Sequence, residues 1–332
     1  MPRRPLPRNR HSYLLTLTAT ACAAVAGIGA WLFLGHDDES GGCEDLLQDE
    51  RIQEALGDSR TTGMNCSELG SVLREVTVGS LPGQHSLRQA QAMKDVLLAV
   101  DDEVTKAGGR LDPGMRVPLA ESLADYASDT GVMLGMGRAD HVVRSSASEP
   151  AWEDEEGVHM AVPRAALLRT VRAVSEEPKA FVVLRLAATR HAAEELAAVE
   201  RDATGAELAA PPARTAHTLG ALDAVAKDVR ENLGGGRTAE WEREVFQGLT
   251  KRIPEPSSYD EDPVNHLVVS WRRALLTKGA EGSRTLLERQ SADMVDVWSR
   301  ALGLDGKVRR SLRHDTLNSS SAARGNAGRE LD

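Results

Sequence analysis

Aromatic residues are scarce in this sequence. Its 332 residues include three Phe, three Tyr and five Trp. A sandwich or barrel of strands draws much of its core from aromatic and β-branched side chains, whereas Leu, Val and Ala suit close-packed helices. Apolar residues also recur at every third or fourth position in most segments, which is the helical period. The composition and the spacing together predict an all-α fold.

Cysteine is equally scarce, with three in the chain. Cys22 lies within an apolar run, which leaves Cys43 and Cys66 as the cysteines of the remaining sequence. In an oxidising compartment these two are the available pair. The sequence predicts a disulfide between them, and closing this short loop would stabilise the fold by roughly 3 kcal/mol. Two free thiols are the alternative.

Acidic residues are absent from the first 35 positions. Four arginines lie among the first ten residues, and an uncharged run of 22 residues follows at 14–35. As a helix this run is about 33 Å long, enough to cross the hydrocarbon layer. Basic residues on the N-terminal side favour a cytoplasmic N-terminus. The sequence therefore predicts a single-pass membrane protein whose remaining chain is extracytoplasmic.

A cleaved signal peptide is the alternative to a spanning helix. Its apolar region usually ends after about 7 to 15 residues, and the run here continues past Ala19 and Ala21. A lipoprotein site at Cys22 would need a leucine that the preceding Ala-Thr-Ala does not supply. The length of the run favours a retained anchor.

The chain beyond residue 35 is acidic. It holds all 50 acidic residues and 36 of the 40 basic ones, which gives a net charge of about −14. Such a surface repels phosphate backbones, and no basic stripe with interleaved aromatic residues is present, so nucleic acid is not an expected partner. The expected partners are the lipid bilayer, through the N-terminal helix, and an envelope or secretion-system protein.

Composition divides the chain into regions. Residues 137–157 are polar and predict a long loop, and they offer a boundary if the domain has two lobes. Val158, Met160 and Val162 then alternate with other residues, which indicates one short strand without an evident partner. The predicted regions are a basic cytoplasmic N-terminus at 1–13, a transmembrane helix at 14–35, a spacer at 36–43, a helical extracytoplasmic domain at 44–305 and a disordered tail at 306–332.

The helical segments also resemble a known group of proteins. The segments are HSLRQAQAMKDVLLAVDDEV at 85–104, VPLAESLADYASDTGVMLG at 117–135, LLRTVRAVSEEPKAFVVLRLAATRHAAEELA at 167–197 and GALDAVAKDV at 220–229. Their order resembles a poorly characterised family of helical regions in large actinobacterial proteins, some linked to WXG-type secretion and polymorphic toxins. The resemblance covers roughly residues 44–303. It implies a helical, tetratricopeptide-like scaffold in an actinobacterial envelope and brings no catalytic residues. An anchor precedes the region here, which argues against a toxin role.

Two groups of residues have side chains of the types that bind metal ions. His191 lies near Glu194 and Glu195, but a zinc protease motif needs a second histidine four residues from the first. The acidic groups at 153–156 and 260–262 lack the alternating ligands and central glycine of a calcium loop. The sequence therefore assigns no metal site.

The sequence also lacks the usual signatures of catalysis and of cofactor binding. The glycines at 234–236 lie between two predicted helices, whereas phosphate-binding loops follow a strand, so they indicate a helix connector. No Gly-x-Ser-x-Gly marks a serine nucleophile. Trp241, Trp271 and Trp298 fall on apolar helical faces and are predicted to anchor the core. The sequence assigns no catalytic or cofactor-binding residue and favours a scaffold or protein-interaction domain. An envelope hydrolase and a small-ligand sensor are the alternatives.

Overall fold

A computed structural model describes residues 41–59 and 63–332. The expected cytoplasmic N-terminus, the expected spanning helix at 14–35 and most of the spacer at 36–43 lie outside these ranges. Within them, no helix combines the length and the apolar character needed to cross a membrane.

The described residues are mostly helical, which confirms the all-α class. Their one sheet is a hairpin of β1 (Trp152–Asp154) and β2 (Gly157–His159). The helices range from 5 to 29 residues, unlike the near-equal helix pairs of a tetratricopeptide array. They are α1 (Gly41–Gln48), α2 (Glu50–Leu56), α3 (Cys66–Thr77), α4 (Leu87–Lys106), α5 (Pro113–Asp125), α6 (Ala127–Leu134), α7 (Ala139–Val143), α8 (Arg164–Val174), α9 (Pro178–Ala197), α10 (Gly205–Leu233), α11 (Gly235–Thr250), α12 (Pro263–Glu288), α13 (Gln290–Ala301) and α14 (Gly306–Leu331).

A disulfide links the first helices of the domain. Cys43 in α1 and Cys66 at the start of α3 are bonded, with their Cα atoms 5.5 Å apart. Asn65 caps α3 by accepting the Glu68 N–H, and the Glu68 side chain accepts the Asn65 N–H in return. The predicted disulfide is therefore present and joins two helices. The first helix within the described ranges is α1, which includes Cys43.

The core is made of leucine, valine and alanine. On α4, apolar residues recur at steps of three or four, the helical period, and this face is buried at Ala90, Met93, Leu97 and Val100. Leu87, placed on the same face by its spacing, is 45 % exposed because it is the first residue of the helix, directly after the cap Ser86. α9 packs against α5, α10, α11 and α12, while α10 packs against α9, α13 and α14. These two helices lie at the centre of the core.

The segment at 137–157 is not a long loop. It contains α7 and most of the β1–β2 hairpin. From α4, the Lys94 Nζ donates to the carbonyl oxygens of Arg144 and Glu149 at 2.8 and 2.5 Å. Residues 40–332 form one compact unit, and the segment at 137–157 lies within it.

The tail at 306–332 was predicted to be disordered, and the structure corrects this prediction. Residues 306–331 form α14. The segment has few large apolar residues, which is the usual signature of disorder. α14 nevertheless buries a stripe of mostly small side chains against its neighbours: Leu312, Thr316, Ser320, Ala323 and Ala327.

α14 approaches α10 closely because both helices are narrow where they meet. A Cβ added at Gly220 of α10 would lie 2.5 Å from the Ser320 carbonyl oxygen and 3.1 Å from the Ala323 Cβ. Such close backbones gain many dispersion contacts without large side chains. Arg324 of α14 also forms an ion pair, at 3.0 Å, with Glu288 at the end of α12.

Candidate functional site

A buried carboxylate organises the region around α6. Asp129 lies in the first turn of α6, which begins at the backbone break at Tyr126, and 4 % of its side chain is exposed. Its Oδ1 accepts hydrogen bonds from His141 Nε2 at 2.9 Å and His159 Nδ1 at 2.8 Å. Its Oδ2 accepts the Met160 N–H at 2.9 Å. We call Asp129, His141 and His159 the aspartate–histidine centre.

The hairpin positions His159. β1 and β2 pair antiparallel, with Trp152 opposite His159. The turn ends at Gly157, whose φ of +135° favours glycine, and Asp154 Oδ1 accepts the Glu156 N–H at 2.8 Å. The strand predicted at Val158, Met160 and Val162 is present in part, since β2 ends at His159. Its partner lies in the segment that the sequence marks as an acidic loop.

Hydrogen bonding fixes the protonation of His159. Its Nδ1 faces the Asp129 carboxylate, and its Nε2 lies 3.0 Å from Asp154 Oδ1. Since ionised carboxylates only accept hydrogen bonds, both ring nitrogens donate and the ring is cationic. The hydrogen bond to Asp129 raises the pKa of His159 and outweighs the opposing effect of burial.

Asp129 is ionised although it is buried. Burial by itself raises the pKa of this carboxyl. The hydrogen bonds from His141, His159 and the Met160 N–H together lower the pKa by more than burial raises it. The net pKa of Asp129 is below the ordinary value, so the centre sets a carboxylate against two histidine rings.

Trp152 covers the centre. Its ring centroid lies 4.9 Å from that of His141 in an edge-on arrangement and 5.3 Å from that of His159. The Arg144 guanidinium carbon lies 5.3 Å from the same indole ring, within the range of a cation–π contact. These rings cover one side of the centre, and hydrogen bonds are stronger in the lower dielectric of such a buried position.

An open groove of about 200 Å³ lies beside the centre and reaches His141. Met136, Val142 and Val143 are 65 %, 65 % and 71 % exposed at or next to this groove. We call these three residues the apolar patch. They are three of the seven large apolar side chains that are exposed in the described part of the chain. The groove is lined by Met133, Gly135, Met136, Gly137, His141, Val142, Ser145, Val162 and Arg164.

The glutamates next to His191 form ion pairs with arginines and do not form a metal site with the histidine. Glu194 pairs with Arg190 at 2.9 Å, and Glu195 pairs with Arg214 at 2.7 Å. Each glutamate is therefore engaged with an arginine rather than with His191.

The acidic residues at 260–262 serve local structure. Asp262 caps α12 by accepting the Asn265 N–H at 2.9 Å. Glu261 accepts the Ser258 hydroxyl at 2.8 Å and closes its own turn. Two of the three carboxylates in this segment therefore have hydrogen-bond partners within the protein, and no bound ion is needed to explain their positions.

The tryptophan prediction is confirmed, and the glycine prediction is confirmed in part. Trp241, Trp271 and Trp298 are 3 %, 4 % and 0 % exposed. The Trp241 indole N–H donates to the Ser175 carbonyl at 2.9 Å, which fixes the ring within the core. Gly234, with a φ of +74°, separates α10 from α11, whereas Gly235 and Gly236 are the first residues of α11, so one of the three glycines is the connector.

The aspartate–histidine centre was missed by the sequence analysis. His141 and His159 lie 12 and 30 residues from Asp129, spacings that match no local metal-binding motif. Two histidines on either side of Trp152 in a polar segment are the one available signal. Only the fold brings all three side chains together.

Comparisons of this chain with protein-family models, with curated proteins and with solved structures gave no match. The resemblance to helical regions of actinobacterial proteins stays a prediction, and function has to be argued from the geometry.

Proposed function

We propose that this chain is a single-pass membrane protein of the bacterial envelope, with residues 14–35 as the anchor and the helical domain outside. The uncharged run of 22 residues and the arginines that precede it support this topology. The disulfide between Cys43 and Cys66 supports an oxidising compartment for the domain. The resemblance to actinobacterial envelope proteins agrees with this setting.

The topology is tested by adding protease to intact cells whose wall has been removed, with the full-length chain carrying a C-terminal epitope. The expected result is loss of the epitope while a cytoplasmic control protein stays intact. An epitope that survives until the membrane is lysed would overturn the proposed orientation.

Within this setting we propose that the domain is a protein-interaction scaffold, and the apolar patch is the observation that carries the proposal. Exposed apolar clusters on soluble domains commonly mark contact surfaces. The groove, at about 200 Å³, is smaller than the roughly 300–1,000 Å³ of small-molecule pockets. It suits one apolar side chain of a protein partner, which is the usual form of an interface anchor.

The hydrolase alternative is less well supported by the geometry. A general base needs a carboxylate or imidazole that can reach a substrate proton. Both oxygens of Asp129 already accept hydrogen bonds, and His159 donates from both of its ring nitrogens. As arranged, these groups hold the structure together.

Photo-crosslinking in cells tests the scaffold proposal. A benzophenone amino acid is placed at Val143 of the full-length chain, and the matched control carries it at Leu276 of α12, which is 53 % exposed. The expected result is an adduct with one envelope protein from position 143 only. Adding Met136→Glu should reduce the yield of that adduct at least several-fold, since a charge next to the groove opposes apolar contact.

Other results of the same experiment would overturn the proposal. These are identical adducts from both positions, an adduct insensitive to Met136→Glu, adducts with lipid only, or no adduct. An adduct with a second copy of this chain would replace the envelope partner by self-association.

A further inference from the structure

The aspartate–histidine centre has the donor set of a metal site. We propose that Asp129, His141 and His159 bind one divalent transition-metal ion, with zinc as the probe. Two imidazole nitrogens and one carboxylate oxygen are a common set of protein ligands for zinc, with a fourth position left to water. The three donor atoms already lie within 4.8 Å of one another, and all three residues are buried. This inference does not depend on a partner occupying the groove.

To enclose an ion the donors need small movements, and His159 Nδ1 and His141 Nε2 must each release to solvent the proton that they now donate to Asp129, because zinc binds a nitrogen lone pair. Around tetrahedral zinc, with bonds of about 2.0 to 2.1 Å, neighbouring donor atoms lie about 3.3 Å apart. The two N···O distances of 2.9 and 2.8 Å would lengthen by about half an ångström to reach that spacing. The two imidazole nitrogens, now at most 4.8 Å apart, would approach each other. Side-chain rotation supplies movements of this size.

The groups that form hydrogen bonds with the ligands are also those usual in a metal site. Metal-binding histidines usually donate their second N–H to a carboxylate or carbonyl oxygen. His159 Nε2 faces Asp154 Oδ1 at 3.0 Å, so Asp154 would orient this ligand. The Met160 N–H holds the second oxygen of Asp129 at 2.9 Å. The two carboxylates, Asp129 and Asp154, would offset the charge of the ion.

His141 connects the centre to the groove. Its side chain is 4 % exposed, and its Nε2, which faces Asp129 at 2.9 Å, is the nitrogen that would bind the ion. The same side chain lines the open groove, which gives an ion a route from solvent to the centre.

The chain contains its own reference for a purely structural pair. His85 Nε2 lies 2.7 Å from Asp125 Oδ2, and the His85 ring stacks on Tyr126 at 3.6 Å. The His85 side chain is 4 % exposed, as buried as that of His141. This pair offers one imidazole and one carboxylate, which are too few ligands for a structural or catalytic zinc site. It therefore serves as the matched control.

Zinc binding by the metal-free, full-length chain tests the inference. The chain carries no histidine tag and is kept in detergent, and bound zinc is measured by equilibrium dialysis at micromolar concentrations. The expected result is one zinc per chain. Asp129→Asn and His159→Gln should weaken binding by about 100-fold or more, and Asp154→Asn by about 10- to 100-fold, as for other groups behind a metal ligand. His85→Gln should bind as the natural chain does.

The natural chain alone can also decide the question if the variants fail to fold. X-ray absorption at the zinc edge should show nitrogen and oxygen neighbours, with the scattering pattern of two imidazoles. A chain that binds no zinc at micromolar concentrations would overturn the inference. So would a first shell with one imidazole or none, or an equal loss of binding in His85→Gln and His159→Gln.

Discussion

Asp129 and Asp223 are equally buried, with 4 % and 3 % of their side chains exposed, but their pKa values move in opposite directions. The pKa of Asp129 is lowered. Burial raises the pKa of Asp223 to about 6, although the Arg185 guanidinium opposes the shift. Burial alone cannot explain the difference between the two carboxyls.

Hydrogen-bond donors explain it. Asp129 accepts three hydrogen bonds, and both of its oxygens are used. Asp223 accepts one, from Arg185 at 2.7 Å on Oδ1, and its Oδ2 has no partner within the described ranges. A buried carboxylate stays ionised when enough donors replace water. The number of hydrogen-bond donors around a buried carboxyl group, more than the degree of its burial, therefore determines its charge.

The partner of Asp223 is better satisfied than the acid itself. From α9, Arg185 donates to Gln290 Oε1 at 2.6 Å and to the Leu287 carbonyl at 2.8 Å. This fully buried cation thereby connects α9, α10, α12 and α13. The centre at Asp223 holds the helical core together, whereas the centre at Asp129 holds the hairpin and α7 against α6.

The largest effect is expected from Asp223→Leu. This change leaves the Arg185 charge buried without its counter-charge, and breaking a buried ion pair typically costs about 3–5 kcal/mol. The free energy of unfolding, measured with urea on the full-length chain, should fall by that amount.

The matched control for Asp223→Leu removes both charges. Arg185→Met combined with Asp223→Leu should recover most of the loss, because replacing a whole buried pair with apolar side chains is often neutral. A double variant that is no more stable than Asp223→Leu would show that the lost charge is not the cause.

Helical faces made of large side chains were predictable from the sequence, and so was the single pair of cysteines outside the apolar run. The α4 face illustrates the first case, since Ala90, Met93, Leu97 and Val100 are buried as their spacing requires. α14 escaped prediction because its contact depends on Gly220 and on small side chains, which hydropathy does not register.

The candidate site escaped prediction for a different reason. Asp129 lies in a helix whose start depends on the backbone break at Tyr126, and no cap residue in the sequence marks that start. His141 lies in a segment that the sequence marks as a loop. No local rule connects positions on separate elements when the spacing is not that of a known motif. A centre built by the fold becomes visible only in the fold.

A smaller effect is expected from Asp129→Asn. The change keeps the shape but removes the charge that the two histidines and the Met160 N–H support. Hydrogen bonds to charged groups contribute about 1.5–3 kcal/mol to stability. The free energy of unfolding, measured with urea, should therefore fall by that amount. A chelator is present throughout, so that the result is independent of any bound metal.

Asp125→Asn is the comparison for Asp129→Asn. Asp125 is 10 % exposed and pairs with one histidine, so a smaller loss, of about 1 kcal/mol, is expected. Equal losses in the two variants would mean that the second histidine adds nothing to the stability of the Asp129 centre.

An effect that depends on pH is expected from Asp223→Asn. The folded chain holds the Asp223 proton up to a pH of about 6, whereas the ordinary pKa is 3.8. The contribution of this group to stability is therefore fully present below 3.8 and is lost as the pH rises to about 6. Asn does not titrate, so the natural chain should lose about 2 kcal/mol relative to the variant between about pH 4 and 6, because most of a shift of roughly two pKa units falls in this window and one unit corresponds to about 1.4 kcal/mol. Urea unfolding at several pH values measures this difference, and the Arg185→Met and Asp223→Leu double variant should show the same pH dependence as Asp223→Asn. A difference that stays constant across this window would mean that Asp223 is ionised throughout, and the contrast with Asp129 would then disappear.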